Sequence, residues 1–275
     1  MNILDILLDT IKDTIFIIPI LFVMYLCLEY FEHKNNTQKY DHYLTSYGPI
    51  FGALLGIIPQ CGFGVLASLL FIDKRITLGT LISVFIATSD EAIPILLTAP
   101  ELYSSLLGII ALKFILAICV GYLVDILWQN NDVKALHDVP AHCHDHSVVQ
   151  EAMIRTLKIY LFIFVVNFAL SATIAWIGND QLSIILLDKS MIQPIASAIF
   201  GFIPNCAASV ILTQLYVNGV LSFASLLAGL ITNAGLGILV LLQRHVDAKT
   251  LLRICFILFM SALLISLPLQ WFHLH

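Results

Sequence analysis

Apolar and polar positions alternate along this chain on the scale of whole membrane crossings rather than of single helical turns. Apolar stretches run at about 14 to 30, 48 to 72, 77 to 99, 104 to 127, 157 to 177, 192 to 217, 221 to 243 and 250 to 269, separated by short polar loops. A helix needs roughly 20 residues to cross a hydrocarbon core about 30 Å thick. In lipid every backbone N–H and C=O has to be satisfied within the protein, so the pattern predicts an all-α integral membrane fold. Ahead of the first stretch, Asp5, Asp9 and Asp13 recur at helical spacing among Ile3, Leu4, Ile6, Leu7, Leu8 and Ile11, which predicts an interfacial amphipathic helix. No small-residue cleavage site follows the first span and further apolar stretches do, so a removable signal peptide is not expected.

The pattern also repeats. Gly56-Ile57-Ile58-Pro59-Gln60-Cys61 returns as Gly201-Phe202-Ile203-Pro204-Asn205-Cys206, and each run is followed by small residues and then by an apolar stretch with a polar interruption. That interruption is Thr88-Ser89-Asp90-Glu91 in the first copy and Thr232-Asn233-Ala234-Gly235 in the second. The chain is therefore a tandem duplication: a first membrane repeat at 1–128, a polar linker at 129–153 and a second membrane repeat at 154–275. Pro59 and Pro204 sit mid-stretch, where proline removes a backbone donor and disfavours helix in the residue before it. Each such stretch is either a kinked span or a re-entrant hairpin entering and leaving on one side.

Loop charge separates the two readings. If all eight stretches cross, the lysines and arginines other than the intramembrane Lys113 divide six and six between the two sides. If 48 to 72 and 192 to 217 are hairpins, then of the 13 lysines and arginines all but Lys12, Lys189 and the intramembrane Lys113 fall on one side. The hairpin reading gives six spanning helices plus two re-entrant helical hairpins, about ten membrane helices in all, with both termini outside. Three crossings per repeat make this an inverted repeat, and the hairpin tips and the broken helices at 77–99 and 221–243 then meet near the midplane, as in many secondary transporters.

Composition agrees with this picture. The 275 residues are 60% hydrophobic and 11% charged, with a mean hydropathy of +0.96, whereas soluble domains are about half apolar and a quarter charged. The formal net charge is −5 and the basic residues are scattered, so no nucleic-acid partner is expected. The six cysteines share no CxxC spacing, and Cys27, Cys61, Cys119, Cys206 and Cys255 lie in apolar stretches, so a disulfide framework is not expected.

Against this background a few polar residues carry the chemistry. Asp90 and Glu91 lie near the centre of an apolar stretch, where a carboxylate costs on the order of 3 kcal/mol unless it faces a partner, an ion or a cavity. The plainer reading makes them a helix cap beside the break. Lys113 lies at comparable depth and is a candidate charge partner for them; alternatively its stem snorkels to the interface. The hairpin tips offer Gln60 with Cys61 and Asn205 with Cys206, and the breaks add Thr88, Ser89, Thr232 and Asn233. Amide and hydroxyl oxygens suit hard dications, while thiolates suit zinc, copper(I) or trivalent arsenic. In the linker, His137, His142, Cys143, His144 and His146 stand with Asp138 and Asp145 in a ten-residue window, a donor set for capturing a divalent metal, with a solvated linker as the bland alternative.

The run from Gly56 to Pro94, IPQCGFGVLASLLF followed by TLGTLISVFIATSDEAIPILL, together with FIPNCAASVILTQLY and the TNAG break, closely resembles a bacterial family of ten-helix heavy-metal exporters, whose members are labelled arsenic efflux proteins or manganese transporters. The resemblance covers nearly the whole chain. It implies metal export across the bacterial inner membrane. The family's loop is usually richer in cysteine than this one, which has Cys143 alone, and the oxygen donors favour a divalent ion such as manganese over arsenite. No cofactor is expected beyond the transported ion, and the expected partners are that ion, the bilayer and a second copy of the chain in a homodimer. No Gly-x4-Gly-Lys-Ser/Thr loop occurs, so ATP would have to come from a partner subunit. Rival classes are an intramembrane protease, against which stand the absence of HExxH and the glycine at the position matching Asp90, and a metal-sensing receptor; neither explains paired mid-membrane breaks.

Overall fold

The computed structural model describes residues 47–58, 61–89, 92–128, 191–244 and 246–274, with isolated positions elsewhere and without the side chains of Cys61, Phe272, His273 and Leu274. The expected span at 14 to 30, the histidine-rich linker and most of the stretch at 157 to 177 lie outside the described residues. Within them the chain forms helices α1 (Gly48–Gly56), α2 (Cys61–Ile72), α3 (Leu78–Ala87), α4 (Ala92–Leu97), a 3-10 turn (Pro100–Leu102), α5 (Tyr103–Trp128), α6 (Gln193–Gly201), α7 (Cys206–Val217), α8 (Phe223–Thr232), α9 (Leu236–Gln243) and α10 (Ala248–Leu274). Among the described residues there is no strand.

The second five helices repeat the first five, down to their local devices. Thr77 and Ser222 cap α3 and α8, their hydroxyls accepting from the amides of Thr80 and Ser225. Asp125 on α5 accepts from the Thr77 hydroxyl at 2.8 Å, and Gln270 on α10 accepts from Ser222 in the same way. Behind α2 and α7 come Lys74 (φ 57) and Gly219 (φ 73), each followed by an amide that reaches a carbonyl five residues back, Arg75 to Leu70 and Val220 to Leu215. All these pairs stand at the same constant offset as Pro59 and Pro204.

Four stretches are long and apolar enough to cross a membrane: Leu78–Leu97, which runs across positions 90 and 91 outside the described residues, Pro100–Trp128, Phe223–Gln243 and Ala248–Trp271. They coincide with four of the six spans expected from sequence. Helices α1 and α6 have 9 residues each and α2 and α7 have 12, so at about 1.5 Å per residue none can cross alone.

Small residues set the packing. Helix α1 lies beside α3 and runs in the same direction, with Gly48 against Thr80, Gly52 against Thr80 and Val84, and Gly56 against Val84 and Ala87. Helix α6 lies beside α8 in the same way: the Gln193 side chain accepts from Ser225 Oγ at 2.9 Å, and Gly201 faces Gly229 and Thr232. Helix α5 runs antiparallel to α3, meeting Gly79 at Asp125, Ser83 at Ala117 and Thr88 at Lys113. Along the same α5, α8 runs the other way, its Phe223 ring over Gly108 and its Leu230 at Lys113. The C-termini of α3 and α8 therefore approach each other at the level of Lys113. Every residue of α3 and α8 except the initial Phe223 is buried, so these two helices are the core, and α5 and α10 wrap them with one exposed face each.

The copies also exchange contacts. Helix α2 packs on α9, where Ser68 Oγ donates to the Gly237 carbonyl at 2.9 Å, and α7 packs on α4. Charge is polarised along the bundle. Lys74 and Arg75 precede α3, and Arg244, Lys249 and Arg253 surround the start of α10, where Arg253 lies 5.4 Å from the Trp128 ring at the end of α5. The opposite end, where α5 and α8 begin, holds Glu101 and no described lysine or arginine.

Candidate functional site

Two helix interruptions and the turn between α6 and α7 meet at the centre of this bundle. Helix α3 ends at Thr88, whose hydroxyl turns back to the Val84 carbonyl at 2.7 Å while its own carbonyl points inward. Helix α8 ends at Asn233, whose side-chain oxygen accepts from the Gly235 amide at 3.1 Å and closes a tight turn. Gly235 has φ 54 and ψ −139, a backbone open to glycine and strained for any other residue, so the break depends on it. Helix α7 begins after the Pro204 turn, where the buried Asn205 caps it by accepting from Ala207 N at 3.2 Å, which presents Cys206 in the first turn.

These parts enclose a small cavity lined by Thr88, Ser89, Cys206, Ser209, Leu230, Asn233 and Gly235, with room on the order of one water molecule. Lys113, 1% exposed, is bonded to three of the lining residues. Its ammonium donates to the Thr88 carbonyl, to Ser89 Oγ at 2.7 Å and to the Leu230 carbonyl at 2.9 Å. It thus ties the end of α3 to the last turn of α8, where helix geometry leaves carbonyls without intrahelical donors and concentrates the negative end of each helix dipole.

Of the residues singled out from sequence, Thr88, Ser89, Cys206 and Asn233 line this one cavity, Asn205 adjoins it and Lys113 closes it. Thr232 turns the other way, its hydroxyl donating to the Ala198 carbonyl of α6 at 2.7 Å, and so serves helix packing. Gln60, Asp90, Glu91, the Cys61 side chain and the linker residues His137, His142, Cys143, His144 and His146 lie outside the described residues. Among the described residues no three His, Cys, Asp or Glu side chains cluster to hold a metal. Ser209 was not anticipated; its signal is a small polar residue one helical turn after the cysteine of the tip. What the described walls offer is hydroxyl, amide and carbonyl oxygen, one thiol and a fixed cation, in a space sized for a bare ion or a very small solute.

The fold and this site define a multi-pass helical membrane protein with a polar centre where two broken segments converge. The family model described as "Putative, 10TM heavy-metal exporter" matches residues 2–181 and, in a second segment, residues 165–273. The chain belongs to this family, which is one of heavy-metal exporters and not a family of enzymes. No match was found among curated proteins or among solved structures.

Proposed function

We propose that this chain is a secondary active exporter of a divalent metal cation, manganese being the ion its oxygen donors suit best. One observation carries the reading: the first break, the second break and the second hairpin tip converge on one buried polar cavity between the repeats. By the sequence equivalence of the repeats, Gln60 and Cys61 come from the other tip, and Asp90 and Glu91, next in the chain after Ser89, supply the negative charge.

In this reading the hairpins are re-entrant and the repeats inverted. Helices α1 and α3 run side by side in one direction, and only residues 73–77 join α2 to α3. That link spans at most about 20 Å. Had α2 continued α1 across the membrane, the link would have to return more than about 30 Å, which supports α2 folding back beside α1. Opposite directions of α3 and α8 along α5 are what inversion requires. The basic end of the bundle then faces the cytoplasm, both termini lie outside, and the histidine-rich linker captures metal on the cytoplasmic side of a bacterial inner membrane.

The test is elemental analysis of cells lacking the protein, complemented with the wild type or with Asp90→Asn/Glu91→Gln present at normal membrane level. The expected outcome is manganese accumulation without the protein, corrected by the wild type and not by the double variant. Cys206 in the cavity wall favours a second reading, an arsenite or organoarsenical permease. Unchanged manganese with altered arsenic content would replace the first reading by the second.

A further inference from the structure

Three of the oxygens around the Lys113 ammonium have the make-up of a cation site. Two are carbonyls from helix ends, Thr88 on α3 and Leu230 on α8, and the third is the Ser89 hydroxyl. Unwound carbonyls and half-helix C-termini are the ligands with which transporters built on broken helices hold a monovalent coupling ion. Here the position is filled by a side chain of the protein itself, buried to 1% exposure, with contacts that include both repeats at once. At the equivalent place the second repeat carries the buried, uncharged Leu258, so a single ammonium serves both helix ends.

We propose that Lys113 is a tethered substitute for a monovalent coupling cation: it occupies the oxygen cage between the ends of α3 and α8, holds the two breaks together without sodium or potassium, and makes the protein independent of either ion. The inference rests on the reading of this chain as a gradient-driven transporter through this centre. It narrows the driving ion to one that does not compete for this cage. The physical basis is that two converging helix C-termini present negative potential that some cation has to offset. An ammonium on a four-carbon stem does so while losing far less freedom than an ion drawn from solution.

The test is thermal unfolding of the purified full-length protein in sodium, potassium, methylammonium and choline chloride at equal ionic strength. The wild type is expected to unfold at the same temperature in all four salts. Lys113→Ala is expected to unfold about 5 °C lower or more in choline chloride, and to recover at least about half of that loss in sodium or methylammonium, which fit the vacated cage while choline does not. Selective stabilisation of the wild type by sodium or potassium overturns the proposal, as does a Lys113→Ala variant that responds to all four salts alike. Lys113→Met, which fills the stem's volume without the charge, covers the case in which the alanine variant does not fold. Destabilisation that no cation reverses supports the plugged cage, whereas wild-type stability in choline chloride means that the ammonium holds nothing and overturns it. None of these readouts depends on which metal is exported, so a failure here is distinct from a failure of the export reading, which cellular metal content decides.

Discussion

Replacing Gly121 with alanine tests the closest helix crossing in the first repeat. Gly121 lies on α5 where α1 and α3 both touch it, and a Cβ added there would strike Ser83 Oγ and lie 2.9 Å from both the Gly79 carbonyl oxygen and the Pro49 Cβ. Overpacking of this kind costs about 1–3 kcal/mol where neighbours can shift, and here two of the three obstacles are backbone or ring, so the upper end applies. A loss of about 3 kcal/mol corresponds to about 6 to 12 °C in Tm for a chain of this size. The second repeat shows how the same crossing tolerates a side chain: Ser266 takes the place of Gly121, and Ala228 takes the place of Ser83. Ser83→Ala should therefore cost little alone, about 1 kcal/mol for a hydroxyl that donates to the Gly79 and Ala117 carbonyls. Combined with Gly121→Ala it should recover about 1–2 kcal/mol relative to the glycine variant. Thermal unfolding of the four proteins in one detergent completes the cycle. If the double variant is no more stable than Gly121→Ala, Ser83 is not the obstacle and the two repeats do not pack alike.

Asp125→Ala should destabilise by about 2 kcal/mol, because Thr77 Oγ and the Gly79 amide at the start of α3 lose their acceptor, while Asp125→Asn, which keeps an oxygen there as Gln270 does in the second repeat, should lose less than half as much in the same unfolding assay. Lys74→Gly should raise Tm, since it removes a left-handed lysine where the second repeat has Gly219; the gain is about 0.5–1 kcal/mol, and an unchanged or lower Tm would mean that the charge at the end of α2 outweighs the strain. Alanine at His137, His142, Cys143, His144 and His146 together should weaken export at low cytoplasmic metal and leave the maximal rate in place, as read from efflux at graded metal loads; an unchanged dose response would make the segment a plain linker.

The duplication and its breaks were legible in the sequence because proline, glycine and polar punctuation inside apolar runs act locally and need no knowledge of neighbours. The constant offset between Pro59 and Pro204 extends to caps, turn residues and the Thr77/Asp125 clamp. Packing partners were not legible. In a chain this apolar, α3 and α5 read alike, yet α3 is buried on every side and α5 on one, a difference that lies in which helix surrounds which rather than in hydrophobicity. The same limit explains Thr232. A threonine beside a break can face the cavity or the neighbouring helix with equal chemical logic, and here Ala198 of α6 supplies the acceptor. Asp125 carried no signal of its own in the sequence, although it stands on the face of α5 that also carries Lys113, Ala117 and Gly121.

The two repeats differ in their charged residues, and at the centre of the bundle the geometry gives a reason. Lys113, Asp125 and the Asp90–Glu91 pair belong to the first copy, and the matching positions in the second are Leu258, Gln270, Gly235 and Leu236. The ends of α3 and α8 meet at the level of Lys113, so an ionisable group kept in both copies at that level would face its own duplicate, whereas Asp125 and Gln270 stand at opposite ends of the bundle. Two lysines would crowd like charges at the single meeting place of the α3 and α8 ends, in surroundings where such repulsion is poorly screened. The duplication thus brings the ends of α3 and α8 together, and its loss in the side chains there is what lets one ammonium satisfy both halves. On this argument, introducing Lys at position 258 should destabilise the wild type by more than it destabilises Lys113→Leu, because only in the former do two ammoniums compete for the same carbonyls. Equal losses in the two backgrounds, measured by thermal unfolding, would show that position 258 does not share the centre with Lys113.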